Sequence, residues 1–268
     1  MAPVTELIDV TQTDSLSDAV ERAHEAVGRR ECVVLPTDTV YGIGADAFSP
    51  QAVAVLLAAK GRGRTMPPPV LIGDRRVMDG LAIEVPAEAE KLAERHWPGA
   101  LTLILKSQPT LTWDLGETRG TVALRVPDDA IARELLYTTG PLAVSSANRT
   151  GMEAATTAEQ AREMLGESVS VYLDGGPRTE GAPSTIVDCT VTPFRVARQG
   201  AISLEVLRET VPDLVAEGEE APVPAERLLQ EDDERPQSAD AAQGAHAVGD
   251  AAPEADSTPS SESAEPRG

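Results

Sequence analysis

The sequence predicts a mixed α/β (α+β) domain, an open mixed β-sheet with helices packed on it. Short apolar runs that stop at Gly or Pro alternate with stretches of helical spacing over residues 1–211. Toward the end of that region several strand-like runs follow one another with no helix between them, which points to a mixed sheet. The count comes to about eight strands and six helices, and no internal repeat is apparent.

Taken in order, Asp14–Val27 carries Leu16, Val20, Ala23 and Val27 at helical spacing, with Ser15 and Asp18 in a capping-box pattern and Gly28 at the end. Glu31–Leu35 is a short apolar strand that stops at Pro36. Gly42 and Gly44 follow, where a missing side chain permits positive φ or a close approach of ligand to backbone. Ser49–Pro50 opens a helix, with Ser as cap and Pro at the first position, that buries Val53, Leu56 and Leu57 and runs to Lys60–Gly61. After Pro67–Pro69 comes the strand Val70–Ile72. Pro86–Arg95 is an amphipathic helix ended by His96–Trp97–Pro98–Gly99. Leu101–Leu105 is a strand with Thr102 inside it, 106–120 a loop, and Thr121–Val126 a strand. Asp128–Leu136 is a helix with acids in its first turn, where the macrodipole favours them. Leu142–Ser145 is a strand, and Thr157–Leu165 a helix with Thr157 and Gln160 as a capping box. Val169–Asp174, Ser184–Cys189 and Phe194–Arg198 are strands, and Ile202–Thr210 is a short final helix.

Between Pro212 and Gly268 there are 15 acidic residues against Arg227, Arg235 and Arg267, so this segment carries about −12 of the net −21, and it has no aromatic residue. Such a segment cannot bury enough apolar surface to offset its ordering entropy. Two regions are therefore expected, a folded domain over 1–211 and a disordered, solvating tail over 212–268. Net acidity argues against a protein held to nucleic acid by a general positive field, which leaves only local basic clusters for that work. Cys32 and Cys189 lie in apolar strand-like runs without metal-ligand spacing and read as buried free thiols in a reducing compartment. The N-terminal residues lack the basic and apolar regions of a signal peptide, and no apolar run approaches a membrane span. A cytoplasmic protein without membrane attachment is the expectation.

Four stretches place polar groups where packing alone does not need them. Thr37, Asp38, Thr39 and Tyr41 crowd the end of the first central strand, either as a binding cluster or as an Asx-type turn. Lys60, Arg62 and Arg64, separated by Gly61 and Gly63, form a flexible positive loop suited to a polyphosphate. The same cations at a helix C-terminus also stabilise the macrodipole. Arg125, on an apolar strand, must pair with an internal acid or clamp a ligand carboxylate or phosphate, and Thr121 shares its face. Ser145–Asn148 brings hydroxyls and an amide to a strand end, either for nucleotide contacts or for turn formation. There is no Walker loop, metal cage or acid–base dyad. His96 fits a packed helix end better than a catalytic base. Cations, hydroxyls and glycines without a nucleophile suit positioning and charge stabilisation of a polyphosphate.

PTDTVYGIGADA (36–47), KGR (60–62), HWPGALTLIL (96–105), TVALRVP (121–127), SSANRTG (145–151), STIVD (184–188) and RQGAI (198–202), in this order, resemble the YrdC family of threonylcarbamoyl-AMP synthases. The resemblance spans roughly residues 15–207. It implies a YrdC-like twisted open sheet with a concave positive surface. It also implies a nucleotidyltransferase that makes threonylcarbamoyl-AMP and pyrophosphate from L-threonine, bicarbonate and ATP with Mg²⁺. The product would pass to a tRNA-modifying transferase complex, with direct tRNA binding possible. By motif, Thr39, Arg125 and Ser184 would hold threonine. Lys60 and Arg62 would face the phosphates as catalytic groups, and Thr121, Ser146, Asn148 and Arg198 would lie on the nucleotide side; Arg64, outside the motif, would bind nucleotide as a substitute for part of what this loop lacks on the phosphate side. No protein metal ligand is implied.

The chain departs from the family pattern at Gly63, Met66, Pro68 and Leu71, where Pro, Asn, Leu and His are usual, and at Val144 and Ala154, where Thr and Ser are common. The losses at Met66 and Leu71 keep a second reading open, a non-catalytic RNA- or nucleotide-binding module of the same fold. The acidic tail does not resemble the second domain of longer members, so a single-domain form is expected.

Overall fold

The computed structural model describes residues 5–179 and 181–219. Ten strands build one mixed sheet: β1 (Glu6–Asp9), β2 (Val33–Leu35), β3 (Gly42–Asp46), β4 (Val70–Leu71), β5 (Leu101–Lys106), β6 (Thr121–Arg125), β7 (Leu142–Ser146), β8 (Val171–Asp174), β9 (Thr185–Asp188) and β10 (Arg195–Arg198). Their spatial order is β1-β8-β2-β3-β7-β4-β6-β5-β9-β10. Parallel pairs (β1 with β8, β2 with β8, β4 with β6, β5 with β9) mingle with antiparallel ones, as the run of late strands predicts. The helices are α1 (Thr13–Gly28), α2 (Pro50–Lys60), α3 (Met78–Leu81), α4 (Ala87–His96), α5 (Ala130–Thr139), α6 (Ala158–Leu165) and α7 (Leu204–Arg208).

Side-chain alternation divides the core between the two faces of the sheet. Val34 and Ala143 join a cluster with Leu56 of α2, Leu92 of α4 and Leu165 of α6. Their neighbours Val33, Leu35, Leu142 and Val144 join a second cluster with Val20 and Ala23 of α1 and Leu135 of α5. The strand β2 is thus buried on both faces, which explains its continuous apolar sequence. On the other half of the sheet only one face is covered. Leu101, Leu103, Leu105, Val122 and Leu124 pack into the first cluster. The alternate residues Thr102, Ile104, Thr121, Ala123 and Arg125 face a cavity.

Four expectations change. Strand β3 occupies a stretch where no strand was expected, and of the two roles open to its glycines positive φ is not used, since neither Gly42 nor Gly44 has it. A Cβ on Gly42 would lie 2.6 Å from Val144 Cγ1, so close packing between strands is what excludes a side chain there. Strand β1 and the single turn α3 were too short to leave a periodic signal. In α1 the Ser15–Asp18 capping box does not form. Gln12 is the cap residue, and Ser15 Oγ donates to Asp9 O (2.8 Å) and Gln12 O (2.9 Å). Finally, the boundary at 211/212 is too early, because Leu214 and Val215 are buried and Val215 exchanges backbone hydrogen bonds with Phe194 and Val196 beside β10. The rest of the expected acidic tail lies outside the described residues. By contrast, α2 begins and ends as read, with Ser49 Oγ accepting from Ala52 N (3.3 Å) and Gly61 at φ 63° closing it.

Candidate active site

The cavity on the uncovered half of the sheet has a volume of about 730 Å³, and its wall includes residues from β5, β6, β7, β9 and β10 and the loop after β2. One end is built on Arg125. Its side chain is buried, and three guanidinium nitrogens donate: Nη2 to Asp38 Oδ1 (2.6 Å), Nη1 to Thr39 Oγ1 (3.0 Å) and Nε to Gly99 O (3.0 Å). Burial pushes its pKa down, and the Asp38 carboxylate opposes that shift. The two readings of Arg125 therefore merge, because it has an internal acid partner and still lines the cavity. A guanidinium has five N–H donors, so two remain for a ligand.

Thr37 and Tyr41, left undecided by the sequence, hold the loop. Thr37 Oγ1 donates to Val40 O (2.6 Å), accepts from Thr39 N and Val40 N, and lies 3.0 Å from Thr39 Oγ1. Tyr41 Oη donates to Gly176 O (2.7 Å) and accepts from Gly175 N (3.1 Å). Burial, with the neighbouring Asp174 carboxylate, pushes its phenol up to about 12. Asp38 accepts from Asp128 N as well as from Arg125. Nearby, Ser184 Oγ and Thr102 Oγ1 pair at 2.9 Å, both buried.

The other end carries Arg62, Ser145, Ser146 and Thr121, and Arg198 lies between the two, bonded to Ser184 and within reach of the charges of both Arg125 and Arg62. Arg62 Nη1 donates to Ser145 Oγ (2.8 Å), and its Nε is buried without a partner among the described residues. Thr121 Oγ1 donates to Thr118 O (2.8 Å), and Arg198 grips Ser184 through its carbonyl (2.7 Å) and hydroxyl (3.2 Å). Burial lowers the pKa of Arg62. Arg198 is lowered by burial and then by the charges of Arg125 and Arg62. Three guanidinium groups thus bear on one cavity, and among the described residues only Arg125 has a carboxylate partner.

Two of the predicted contacts sit elsewhere. Lys60 does not line the cavity. Its ammonium donates to Ser146 O, to Asn148 O (2.7 Å) and to Asn148 Oδ1 (3.2 Å), which uses all three N–H groups. Burial, with the charge of Arg62, lowers its pKa to about 8. Through these bonds Lys60, the last residue of α2, holds the Ser146–Asn148 segment. Arg64 is drawn outward to Asp114 (2.7 and 2.9 Å), exposed and away from the cavity. Asn148 lines the cavity, yet its amide is spent on Lys60, Arg149 O and Met152 O. Of the departures, Leu71, Val144 and Ala154 form apolar wall, while Met66 is exposed and outside it. His96 lies outside the wall, and burial lowers its pKa.

Arg178 and Asp129 carry no local signal in the sequence. Their ion pair (2.8 Å) is mostly buried, and Arg178 also donates to Gly175 O and stacks over Tyr41, so it ties the 174–178 turn beneath Thr37. Thr118 and Glu153 of the wall, a half-buried and an exposed loop residue of common type, also carry no local signal. The pairing of Thr102 with Ser184 was missed as well, although a hydroxyl inside the apolar run LTLIL was the available clue.

Comparison with known proteins agrees with this geometry. The Sua5/YciO/YrdC family profile, described as "Telomere recombination", matches residues 25–200. A Mycobacterium tuberculosis protein provisionally named threonylcarbamoyl-AMP synthase is 49% identical over 208 residues, covering 78% of this chain and 96% of its own. The Bacillus subtilis threonylcarbamoyl-AMP synthase is 34% identical over 232 residues, covering 85% of this chain and 64% of its own. Pyrococcus abyssi Sua5, crystallised in complex with L-threonine, superposes with a TM-score of 0.76 at 32% identity, over 80% of this chain and 63% of that one. Escherichia coli YciO shares the fold at a TM-score of 0.67, with 24% identity over 76% of this chain and all of its own. The chain belongs to the Sua5/YciO/YrdC family.

Proposed function

We propose that this protein is a threonylcarbamoyl-AMP synthase, an adenylyl-transferring enzyme that supplies the activated intermediate for threonylcarbamoyladenosine in tRNA. The observation that carries the reading is the set of three arginines on one cavity, Arg62, Arg125 and Arg198, with Arg198 held against the charge of the other two. An anionic ligand relieves that repulsion, and a threonine carboxylate with a nucleotide polyphosphate supplies negative charge at both ends. The relatives named for this activity and the threonine complex of P. abyssi Sua5 support the same assignment.

In this reading the two free N–H groups of Arg125 take the threonine carboxylate, and Thr39, itself bonded to Arg125, borders it. The Thr102–Ser184 hydroxyl pair closes that pocket. The threonine amine adds to carbon dioxide derived from bicarbonate and loses a proton, giving a carbamate. A carbamate oxygen then attacks the α-phosphorus of ATP, the bond to the β-phosphate oxygen breaks, and pyrophosphate leaves with the electron pair. Arg62, through its unpartnered Nε, and Arg198 stabilise the phosphate charge, while Lys60 keeps Ser146 at the cavity rim. Catalysis is therefore positioning and electrostatics. Among the described residues no three His, Cys, Asp or Glu side chains cluster to hold a metal, and Glu153 is the carboxylate residue on the cavity wall. That donor set fits Mg²⁺ entering on the phosphates as part of the MgATP substrate.

The test is to mix protein, MgATP, threonine and bicarbonate and measure pyrophosphate. Release that depends on threonine and bicarbonate is expected. ATP retained without release would instead identify a non-catalytic binding module.

A further inference from the structure

A second cavity, of about 310 Å³, lies at the far end of β6 from Thr121 and is walled by the turn after β4, the Trp97–Pro98 corner, Val126 and one face of α5. Three arginines border it, Arg75, Arg76 and Arg133, against a single carboxylate, Asp74, which is occupied by Arg76 (2.9 Å). Among the described residues Arg75 and Arg133 make no ion pair, and Arg133 Nε is buried with no hydrogen-bond partner. A buried guanidinium donor left unsatisfied costs free energy that a bound acceptor returns. In a chain of net charge −21, two guanidinium groups without an ion pair among the described residues, on one small cavity, are not explained by solubility.

The same cavity offers flat apolar surface. Tyr137 is 59% exposed, and its ring lies against the backbone at Gly73, where a Cβ would approach Cδ1 to 3.0 Å. Gly73 therefore leaves room for one edge of the ring, and the ring's exposure leaves surface open to a ligand. Trp97 forms the floor, with its indole N–H committed to Leu101 O (2.7 Å), so only its apolar surface is left to a ligand. Arginines for a phosphate beside an exposed aromatic ring for a base form the two halves of nucleotide recognition.

We propose that this cavity is a second ligand site, distinct from the first, that takes a mononucleotide. Its phosphate is held by Arg75 and Arg133 and its base stacks on Tyr137. The volume suits one nucleotide and no more, since it lies at the small end of ligand pockets, roughly 300–1,000 Å³. The site does not depend on the chemistry assigned to the larger cavity.

The protein contains two tryptophans, and Trp97 is the one that lines this cavity. In a Trp113→Phe protein the emission therefore reports on it. Titration with adenosine monophosphate, without threonine or bicarbonate, should change that emission saturably. Arg133→Gln and Arg75→Gln, whose side chains make no ion pair with the rest of the fold, should each raise the apparent Kd by about tenfold, the effect of one charge-assisted hydrogen bond. Inorganic phosphate should bind more weakly than the nucleotide, and Tyr137→Ala should abolish that difference. No saturable change, or a change of equal midpoint in the wild-type and both arginine variants, would overturn the site. Equal affinity for phosphate and nucleotide would overturn its assignment to a nucleotide.

Discussion

Arg125, on the cavity wall, and Lys60, behind it, are both buried cations, and they differ in what they leave free. Arg125 keeps two donors for a ligand after binding Asp38, Thr39 and Gly99, whereas Lys60 keeps none. Replacing Arg125 by Ala strands Asp38, whose side chain is 16% exposed. The expected cost is about 3 kcal/mol in urea unfolding, together with a rise in the KM for threonine much larger than that for ATP. Equal rises for the two substrates would make Arg125 purely structural. Lys60 makes a pH prediction. Its folded pKa of about 8 lies below the ordinary 10.5, so between those values the unfolded chain binds more protons than the folded one. Stability from this residue therefore rises with pH across about 8 to 10.5, and Lys60→Met should remove that component of the unfolding profile. Turnover should move the other way and fall above pH 8. A neutral amine has two donors for its three acceptors, and the Ser146–Asn148 segment loosens.

The elements around the cavity act through close contact rather than through flexibility. In β3, Gly42→Ala places a methyl group 2.6 Å from Val144 Cγ1, so it should destabilise the fold by about 1–3 kcal/mol, and Val144→Ala in the same chain should restore most of it. If Gly42→Ala were neutral in thermal unfolding, the glycine would have to serve the ligand instead. The loop after α2 and the loop after β5 are joined by the Arg64–Asp114 pair and by Glu117 N donating to Arg64 O (2.8 Å). An exposed ion pair of this kind contributes less than about 1 kcal/mol. Arg64→Gln should therefore change the KM for ATP by less than about twofold, a small effect that separates Arg64 from Arg62 in steady-state kinetics.

At the scale of the whole molecule the site exists because helices cover unequal parts of the sheet. Helices α1 and α5 close one face over β8, β2, β7 and β4. The same face of β6, β5 and β9 stays open, and its alternate residues become the cavity floor. The C-terminal edge of this half is completed by Leu214 and Val215 against β10. A chain ended after Glu219 should keep the unfolding midpoint of the full chain. One ended after Val211 should lose about 3 kcal/mol or more, because two apolar side chains leave the core. Equal midpoints for the two truncations would return the domain boundary to 211.

Local pattern was enough for much of this. The helical spacing of α2, its Ser49 cap and Gly61 stop, the apolar run of β2 and the polar stretches at 37–41, 60–64, 121–125 and 145–148 are legible in the sequence, because each depends on residues a few positions apart. The sequence by itself therefore determined the mixed α/β class, the family and the inventory of groups available for chemistry. Tertiary structure decided which of those groups reach a ligand. Lys60 meets Asn148 across 88 positions, Arg62 meets Ser145 across 83 and Arg125 meets Asp38 across 87. Such partners are chosen by strand order and by which face of the sheet is covered. A cation's donors are used up or left free by those distant acceptors, so two neighbours in sequence, Lys60 and Arg62, end in different roles.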